Sequence, residues 1–432
     1  MSMPLYAVKT AMKTAESAAA KAHTVPLPIG QNSAVSRLPV QQRAAPLTKE
    51  MLAHTFKKLD LEIPIRVELD EKSNLSDVAW KCGSQGGFLV FAPETKRKMV
   101  YQMVNLQITA TPHSFVINGK MHPEDHLFLI PLKGPFLCQK RIYDGVLAIT
   151  RYKGTAYLVN HVDLEDYVLS VLPYESWAAW PDEVHRVFSI VFRSYGIAKV
   201  LEQRALHAKR GLAVPYDIKN TNEHQIYKGR SNSERFRRII DQTRGVVLAY
   251  KNKNKQDQLE PILAMFDICC GGVVPARKKG IHFSKAPYLA RAYPCNFCKK
   301  YGSYRWTRSF EFDELQKALL KDMPSLGAIR DIKVGTRDDA GVVLEVMVRG
   351  AHRWACMSAG KFKTYAKELP SLCFALEKAG NKVSITGKGH GHHMGLCQRG
   401  AYYMVLQKWN YKNILRFFYP QTQFMKLTKI SY

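Results

Sequence analysis

No run of about 18 consecutive apolar residues occurs in the chain, so the sequence offers no membrane-spanning helix. Cysteine is sparse: nine in 432 residues, too few for a disulfide-built scaffold. The opening stretch MSMPLYAVKTAMKTAESAAAKAHTVPLPIG has lysines and alanines but no strongly apolar core of about seven residues. It is not expected to act as a secretory signal. Acidic residues are short in supply, with 36 Asp+Glu against 64 Lys+Arg, which leaves a net charge of +28. Such a surface attracts polyanions: nucleic acid, an acidic membrane or an acidic polysaccharide. Basic clusters such as Lys96-Arg97-Lys98 and Arg235 with Arg237-Arg238 come without a zinc-finger, RNA-recognition or helix-turn-helix signature. They read as solvated faces, and no specific nucleic-acid partner is expected.

What is present is a foldable chain. Hydrophobic residues make up 46% and aromatics 11%, enough for buried cores in two or three domains. Residues 1–48, rich in Ala, Lys, Ser, Pro and Gln, read as a flexible lead. Leu47, Met51, Leu52, Phe56 and Leu59 then follow a helical period. Over residues 49–150 short β-like runs dominate: PIRVEL, GGFLVF, LQITA, SFVING, HLFLI and GVLAI. Residues 151–425 read as a second region of mixed strands and helices. In it TAYLVN is a strand. VDLEDYVLSVLP is a helix with Asp163 as N-cap and Asp166 as a variant capping-box partner, stopped by Pro173. A second helix is expected from Pro181, with Asp182 and Glu183 in its first turn and an apolar line of Val184, Val187, Phe188, Val191, Tyr195 and Ala198. GVVLAY and PILAMFDI read as strands, as does VVLEVMVRG. FDELQKALLKDM, AYYMVLQKW and YKNILRFFY read as helices. The fold class is α+β: mainly antiparallel strands with a helical insertion that carries the candidate active-site Glu175.

Glu175 is the carboxylate of most interest. Tyr174, Trp177 and Trp180 are close in sequence, between the two expected helices. Aromatic walls stack on sugar faces and also exclude water from a carboxyl group, raising its pKa so that it serves as an acid near neutral pH. The competing reading is an ordinary surface glutamate. Asp163, Glu165 and Asp166 are candidates for a second carboxylate of the kind glycoside hydrolysis uses, although a helix cap explains two of them more simply. The loop Gly387-Lys388-Gly389-His390-Gly391-His392-His393-Met394-Gly395 combines backbone freedom with imidazoles. The H-E-x-x-H zinc-protease pattern is absent. Cys269, Cys270, Cys295 and Cys298 form the pattern C-C-x24-C-x2-C. Cys270, Cys295 and Cys298 with one further ligand make a candidate structural zinc site. A disulfide in an oxidising compartment, or free core thiols, are the alternatives.

Several blocks, in order, resemble the SpoIID/LytB domain, the family of stage II sporulation protein D and the LytB amidase enhancer. Tyr152-Lys153-Gly154 through Leu158-Val159-Asn160 is similar to its "YrG … vIN" strand pair. Asp163-Leu164-Glu165-Asp166-Tyr167-Val168 resembles "vpLEdYl", and Val171-Leu172-Pro173-Tyr174-Glu175 resembles "VvpsEm". Trp180-Pro181-Asp182-Glu183 with Arg193-Ser194-Tyr195 resembles "wPeEalkAQAvaaRTYA". His224-Gln225-Ile226-Tyr227-Lys228-Gly229 is similar to "QvYkG", Thr243-Arg244-Gly245-Val246-Val247-Leu248 to "TrGvvl", and Cys270-Gly271-Gly272 to the "s.GG" turn. Gly389 through Ala401 and Ile414 through Pro420 resemble "GfGHGvGmsQwGA … IL.fYYPgt". The blocks span roughly residues 130–300 and 380–422.

The resemblance implies a lytic transglycosylase acting on denuded peptidoglycan, glycan strands from which an amidase has removed the stem peptides. It implies cleavage between N-acetylmuramic acid and N-acetylglucosamine, 1,6-anhydromuramic ends, and Glu175 as the single general acid/base with no cofactor required for catalysis. It places Arg193, Tyr195, Gln225, Tyr227, His392 and Gln398 around the cleft as substrate contacts or supports, beside Tyr174 and Trp177, with the Gly/His loop returning near Glu175. It implies a cell-envelope or periplasmic location. An alternative is a non-catalytic, glycan-binding enhancer of an N-acetylmuramoyl-L-alanine amidase. The sequence departs from the pattern in places. Phe188 stands where the family has Gln, His393 where it has the second Gly of "GHG", and His390 at an aromatic position. The cysteines by which some sporulation members bind zinc near "QvY" are missing, and only His224 remains there.

Overall fold

The computed structural model describes residues 49–427 except 59–60, 74, 76–77, 103–104, 211–213, 222–223, 253–257 and 368. The expected flexible lead, residues 1–48, lies outside the described residues. The described chain divides into two compact units. The first holds the residues up to Ala178 together with Phe192–Val247, and the second holds Ala179–Val191 with Leu248–Met425. The division falls within one long helix, Asp182–Arg210.

The first unit is built on two antiparallel sheets. The larger runs Ile218–Lys219, Pro64–Lys72, Thr155–Asp163, Val146–Tyr152, His126–Pro131, Phe88–Ala92, Arg97–Tyr101, with only the two-residue strand parallel to its neighbour. The smaller runs Arg141–Tyr143, Phe136–Cys138, Val78–Ser84, Asn105–Ala110, Phe115–Ile117, Lys120–His122. Period-2 patterning drives these strands. In Asn105–Ala110, Leu106, Ile108 and Ala110 are buried while Asn105 and Gln107 face solvent. In Val146–Tyr152 the first four residues are buried on both faces, as in a central strand.

Helix Leu164–Glu175 follows directly from strand Thr155–Asp163. Asp163 caps it, its carboxylate accepting from the Glu165 N–H at 3.0 Å and from the Ile63 N–H at 3.3 Å. Asp166 does not complete a capping box. It pairs with Arg237 at 3.1 Å instead. The helix also does not stop at Pro173, as the sequence suggested, but continues to Glu175. Pro173 lacks the N–H that a helix interior needs, yet it sits in the last turn. There Ser176 Oγ donates to the Leu172 carbonyl at 2.5 Å and closes the end. This puts Glu175 on the last turn of a helix rather than in a loop.

The second unit contains two three-stranded antiparallel sheets. One is Trp306–Glu311, Lys382–Gly387, Phe374–Ala379, and the other Asp331–Val334, Glu345–Arg349, Trp354–Ser358. Helices Phe312–Asp322 and Ala359–Tyr365 share a core with them through Leu315, Leu319, Phe362, Phe374, Val346 and Ile385. The expected strand PILAMFDI is broken into Gln258–Pro261 and Phe266–Asp267. Helices Gln398–Leu406 and Tyr411–Phe418 follow the Gly/His loop. Among the described residues no helix is long and apolar enough to cross a membrane.

Candidate active site

Glu175 is half-buried at the C-terminal end of its helix. Its Oε1 accepts the backbone N–H of Ile226 at 2.8 Å. Burial raises its pKa to about 7, against the opposing pull of that hydrogen bond and of the Lys228 ammonium. The partial negative charge at a helix C-terminus works in the same direction as burial. A carboxyl that titrates near neutrality both gives and takes a proton there.

The segment that meets Glu175 is held from several sides. Gln225, fully buried, accepts the Tyr167 hydroxyl on Oε1 at 2.7 Å. Tyr227 donates its hydroxyl to Asn160 Oδ1 at 2.6 Å, and its N–H goes to Asn220 Oδ1 at 2.9 Å. Asn160 in turn donates to the carbonyls of Asp144 and Val146 at 3.0 and 3.2 Å. The Tyr227 ring stacks between Tyr167 and Tyr143, with centroids at 5.6 and 5.8 Å. The result is a fixed backbone with the Ile226 N–H aimed at the carboxylate. Tyr174 is 46% exposed beside Glu175, and Lys228 Nζ lies 4.9 Å from the centre of its ring. Trp177 is half-buried two residues further on.

The nearby acids are engaged elsewhere. Asp163 is the cap and Asp166 faces Arg237. Glu165 is buried. It accepts Arg193 Nε at 3.0 Å, Arg193 Nη2 at 2.7 Å and the Gly245 N–H at 2.8 Å. Arg193, with no exposed surface, gives its remaining nitrogen to the Val246 carbonyl at 3.0 Å. The middle of the long helix is buried on all sides, from Ile190 to Tyr195, and a guanidinium placed there needs such a partner set. Arg193 is therefore a support inside the fold rather than a surface on which a sugar could rest. Tyr195 is 3% exposed, its ring 6.4 Å from that of His224 and 5.6 Å from Lys199 Nζ.

A cavity of about 470 Å³ in the same unit is lined by Lys58, Arg66, His126, Phe128, Thr150 and His161 among others, and Glu175 is not one of its lining residues. Four of its polar side chains have protein partners. Arg66 pairs with Asp217 at 2.7 Å, Lys58 donates to the Pro131 carbonyl, and His126 meets the Thr150 hydroxyl at 2.6 Å.

His392 and Gln398 belong to the second unit. His392 is 6% exposed. Its Nδ1 accepts the Met394 N–H at 3.1 Å, and its carbonyl takes Lys278 Nζ at 2.7 Å. Burial, then the Lys278 charge, push its pKa down to about 3, so the ring is neutral. Gln398 is buried in the first turn of its helix. Trp180 packs in this unit against Tyr402, with ring centroids 5.0 Å apart, under the Arg399 guanidinium. The sulfurs of Cys270, Cys295, Cys298 and Cys397 lie within 4.8 Å of one another.

Residues 152–250 match the family described as Stage II sporulation protein. The matched region covers 99 of the 432 residues, under half of the chain. That region contains Glu175, Arg193, Tyr195, Gln225 and Tyr227. Residues 293–395 match a second family, a domain of unknown function designated DUF8618. An uncharacterized protein of Brachyspira hyodysenteriae is 28% identical over 294 residues, covering 67% of this chain and 74% of that protein. Stage II sporulation protein D of Bacillus subtilis is 24% identical over 289 residues, covering 64% of this chain and 78% of its own. The amidase enhancer of Bacillus subtilis is 23% identical, with 58% of this chain aligned to 39% of that protein.

Motif reading reached Glu175, Gln225 and Tyr227 but missed their holders. Tyr167, Asn160, Asn220 and the Ile226 N–H act through contacts made across as many as 67 residues. Lys228 was within reach, as the only cation in the HQIYKG block.

Proposed function

We propose that the chain is a glycan-cleaving lytic transglycosylase of the cell envelope that acts on denuded peptidoglycan, with Glu175 as its one acid and base. The observation that carries this reading is the carboxyl of Glu175, held by the Ile226 N–H and titrating at about 7. Its protonated form would give its proton to the glycosidic oxygen as the bond from the muramic anomeric carbon breaks. The carboxylate so formed would take the proton of the muramic C6 hydroxyl as that oxygen bonds to the anomeric carbon. One carboxyl serves both steps, because the nucleophile is supplied by the substrate. The engagement of Asp163, Glu165 and Asp166 in cap and ion pairs agrees with a one-carboxyl mechanism. Tyr174 offers an exposed ring for stacking on a sugar. The +28 balance suits a glycan whose lactyl groups are anionic once the peptides are gone.

The similarity to an amidase enhancer favours a second reading, a glycan-binding protein that stimulates an N-acetylmuramoyl-L-alanine amidase. Measuring glycan cleavage and amidase stimulation side by side separates the two. Cleavage lost in Glu175→Gln supports the first. Stimulation by a protein that never cleaves, unchanged in Glu175→Gln, supports the second.

A further inference from the structure

Four cysteines of the second unit converge. Cys270 follows the short strand Phe266–Asp267, Cys295 and Cys298 flank the start of the turn Phe297–Lys300, and Cys397 precedes helix Gln398–Leu406. All four are at most 2% exposed, and their sulfurs lie within 4.8 Å of one another. We propose that Cys270, Cys295, Cys298 and Cys397 bind one structural zinc ion, which ties the Gly/His loop and the helix after it to the Cys269–Gly272 turn.

The geometry suits zinc. A tetrahedral site with Zn–S bonds of about 2.3 Å sets its sulfurs roughly 3.8 Å apart. Cys270 Sγ and Cys298 Sγ are 3.7 Å apart. All four cysteines are free thiols, and four mutually adjacent thiols match the donor number of a closed zinc site.

Backbone N–H groups also point at the cluster. Cys397 Sγ accepts the N–H of Cys270 at 3.3 Å and of Gly400 at 3.2 Å. It takes the place of the serine or aspartate that usually caps a helix, at the end where negative charge is favoured. Backbone N–H groups directed at ligating sulfur are the outer-shell contacts such a site needs. Gly400 leaves room for the cluster: a Cβ there would lie 2.9 Å from Cys295 Sγ. Cys269 is buried too, but its backbone pairs in both directions with His390, at 3.1 and 2.6 Å. Its backbone aligns the Gly/His loop, and its thiol lies beside those of Cys298 and Cys397 but outside the set of four sulfurs that are all within 4.8 Å of one another. The ligands span 128 residues, from 270 to 397, so the ion would fasten segments that the chain itself leaves far apart.

The test is metal analysis of the full chain purified from zinc-containing medium, with thiol-reagent release of the metal monitored by a zinc indicator. About one zinc per chain is expected, retained in Cys269→Ser and Cys373→Ser and lost in Cys295→Ser/Cys298→Ser and in Cys397→Ser. Where a ligand variant fails to fold, cobalt exchanged into the wild-type chain gives the readout: intense thiolate-to-cobalt absorption with the visible bands of a tetrahedral site. Wild-type protein with less than about a tenth of an equivalent of metal, or a mapped disulfide between any two of the four cysteines, would overturn the proposal. So would equal metal loss in Cys269→Ser and Cys397→Ser. Stoichiometric iron in place of zinc would overturn the choice of metal.

Discussion

The backbone N–H of Ile226 donates to Glu175 Oε1 at 2.8 Å across 51 residues of sequence, fixing one oxygen of a carboxyl that burial has moved towards neutrality. The hydrogen bond favours the charged form and burial the neutral one, and burial wins.

This balance has a consequence for stability. Glu175 titrates at about 7 in the folded chain, against 4.5 for an unperturbed glutamate. The folded state therefore holds a proton that the unfolded chain has released, and stability falls as pH rises from 4.5 to about 7, by at most about 3 kcal/mol. Glu175→Gln keeps an oxygen for the Ile226 N–H and removes the titration. Urea unfolding at pH 8 should show the variant more stable than wild type by about 1–3 kcal/mol, with the gap shrinking towards pH 4.5. A variant less stable than wild type at pH 8 would contradict the raised pKa.

Lys228 supplies the charge that holds the Glu175 pKa down. An acid must be protonated to work, so the rate should fall on the alkaline side with a midpoint at about pH 7. Lys228→Met should move that limb to higher pH by roughly half a unit, the size of a partly exposed charge interaction. An unchanged limb, or a shift to lower pH, would show that Lys228 does not act on the catalytic proton.

Tyr167→Phe removes the hydroxyl that orients Gln225 and leaves a buried carbonyl oxygen unpaired. The expected cost is about 1–3 kcal/mol of stability. The expected kinetic signature is a fall in kcat with KM little changed, because the Ile226 N–H loses its fixed position. A rise in KM alone would point to a binding role instead.

Arg193 and Glu165 form a buried pair. Arg193→Met should cost about 3–5 kcal/mol, since it strands a buried carboxylate. Adding Glu165→Leu should restore much of the loss, a coupling that chemical denaturation of the two singles and the double would measure. Full additivity would contradict the pairing.

These contacts mark where the sequence was informative. The strands and the two helices around Glu175 were legible because period-2 and period-3.6 patterns report burial directly. The end of the first helix was not. Pro173 reads as a stop, but the helix runs on to Glu175, where the Ser176 hydroxyl donates to the Leu172 carbonyl. Arg193 falls on a motif position that suggests substrate, but its partner Glu165 is 28 residues away and the sequence alone offers it as a spare acid. Cys397 was invisible as a fourth thiol, because it lies 99 residues beyond Cys298 with no local spacing to announce it. For Arg193 and Cys397 the missing information was a long-range contact, and for the helix end it was a local side-chain bond four residues back.

Product analysis by mass spectrometry tests the central claim most directly. Denuded glycan strands would be incubated with wild-type protein and with Glu175→Gln, beside intact peptidoglycan. We expect 1,6-anhydromuramic fragments from denuded strands with wild type, a rate lower by about 10²–10⁴-fold with Glu175→Gln, and little cleavage of intact material. Equal cleavage by the two proteins, or none by wild type that still binds the strands, would contradict Glu175 as the acid of a transglycosylase.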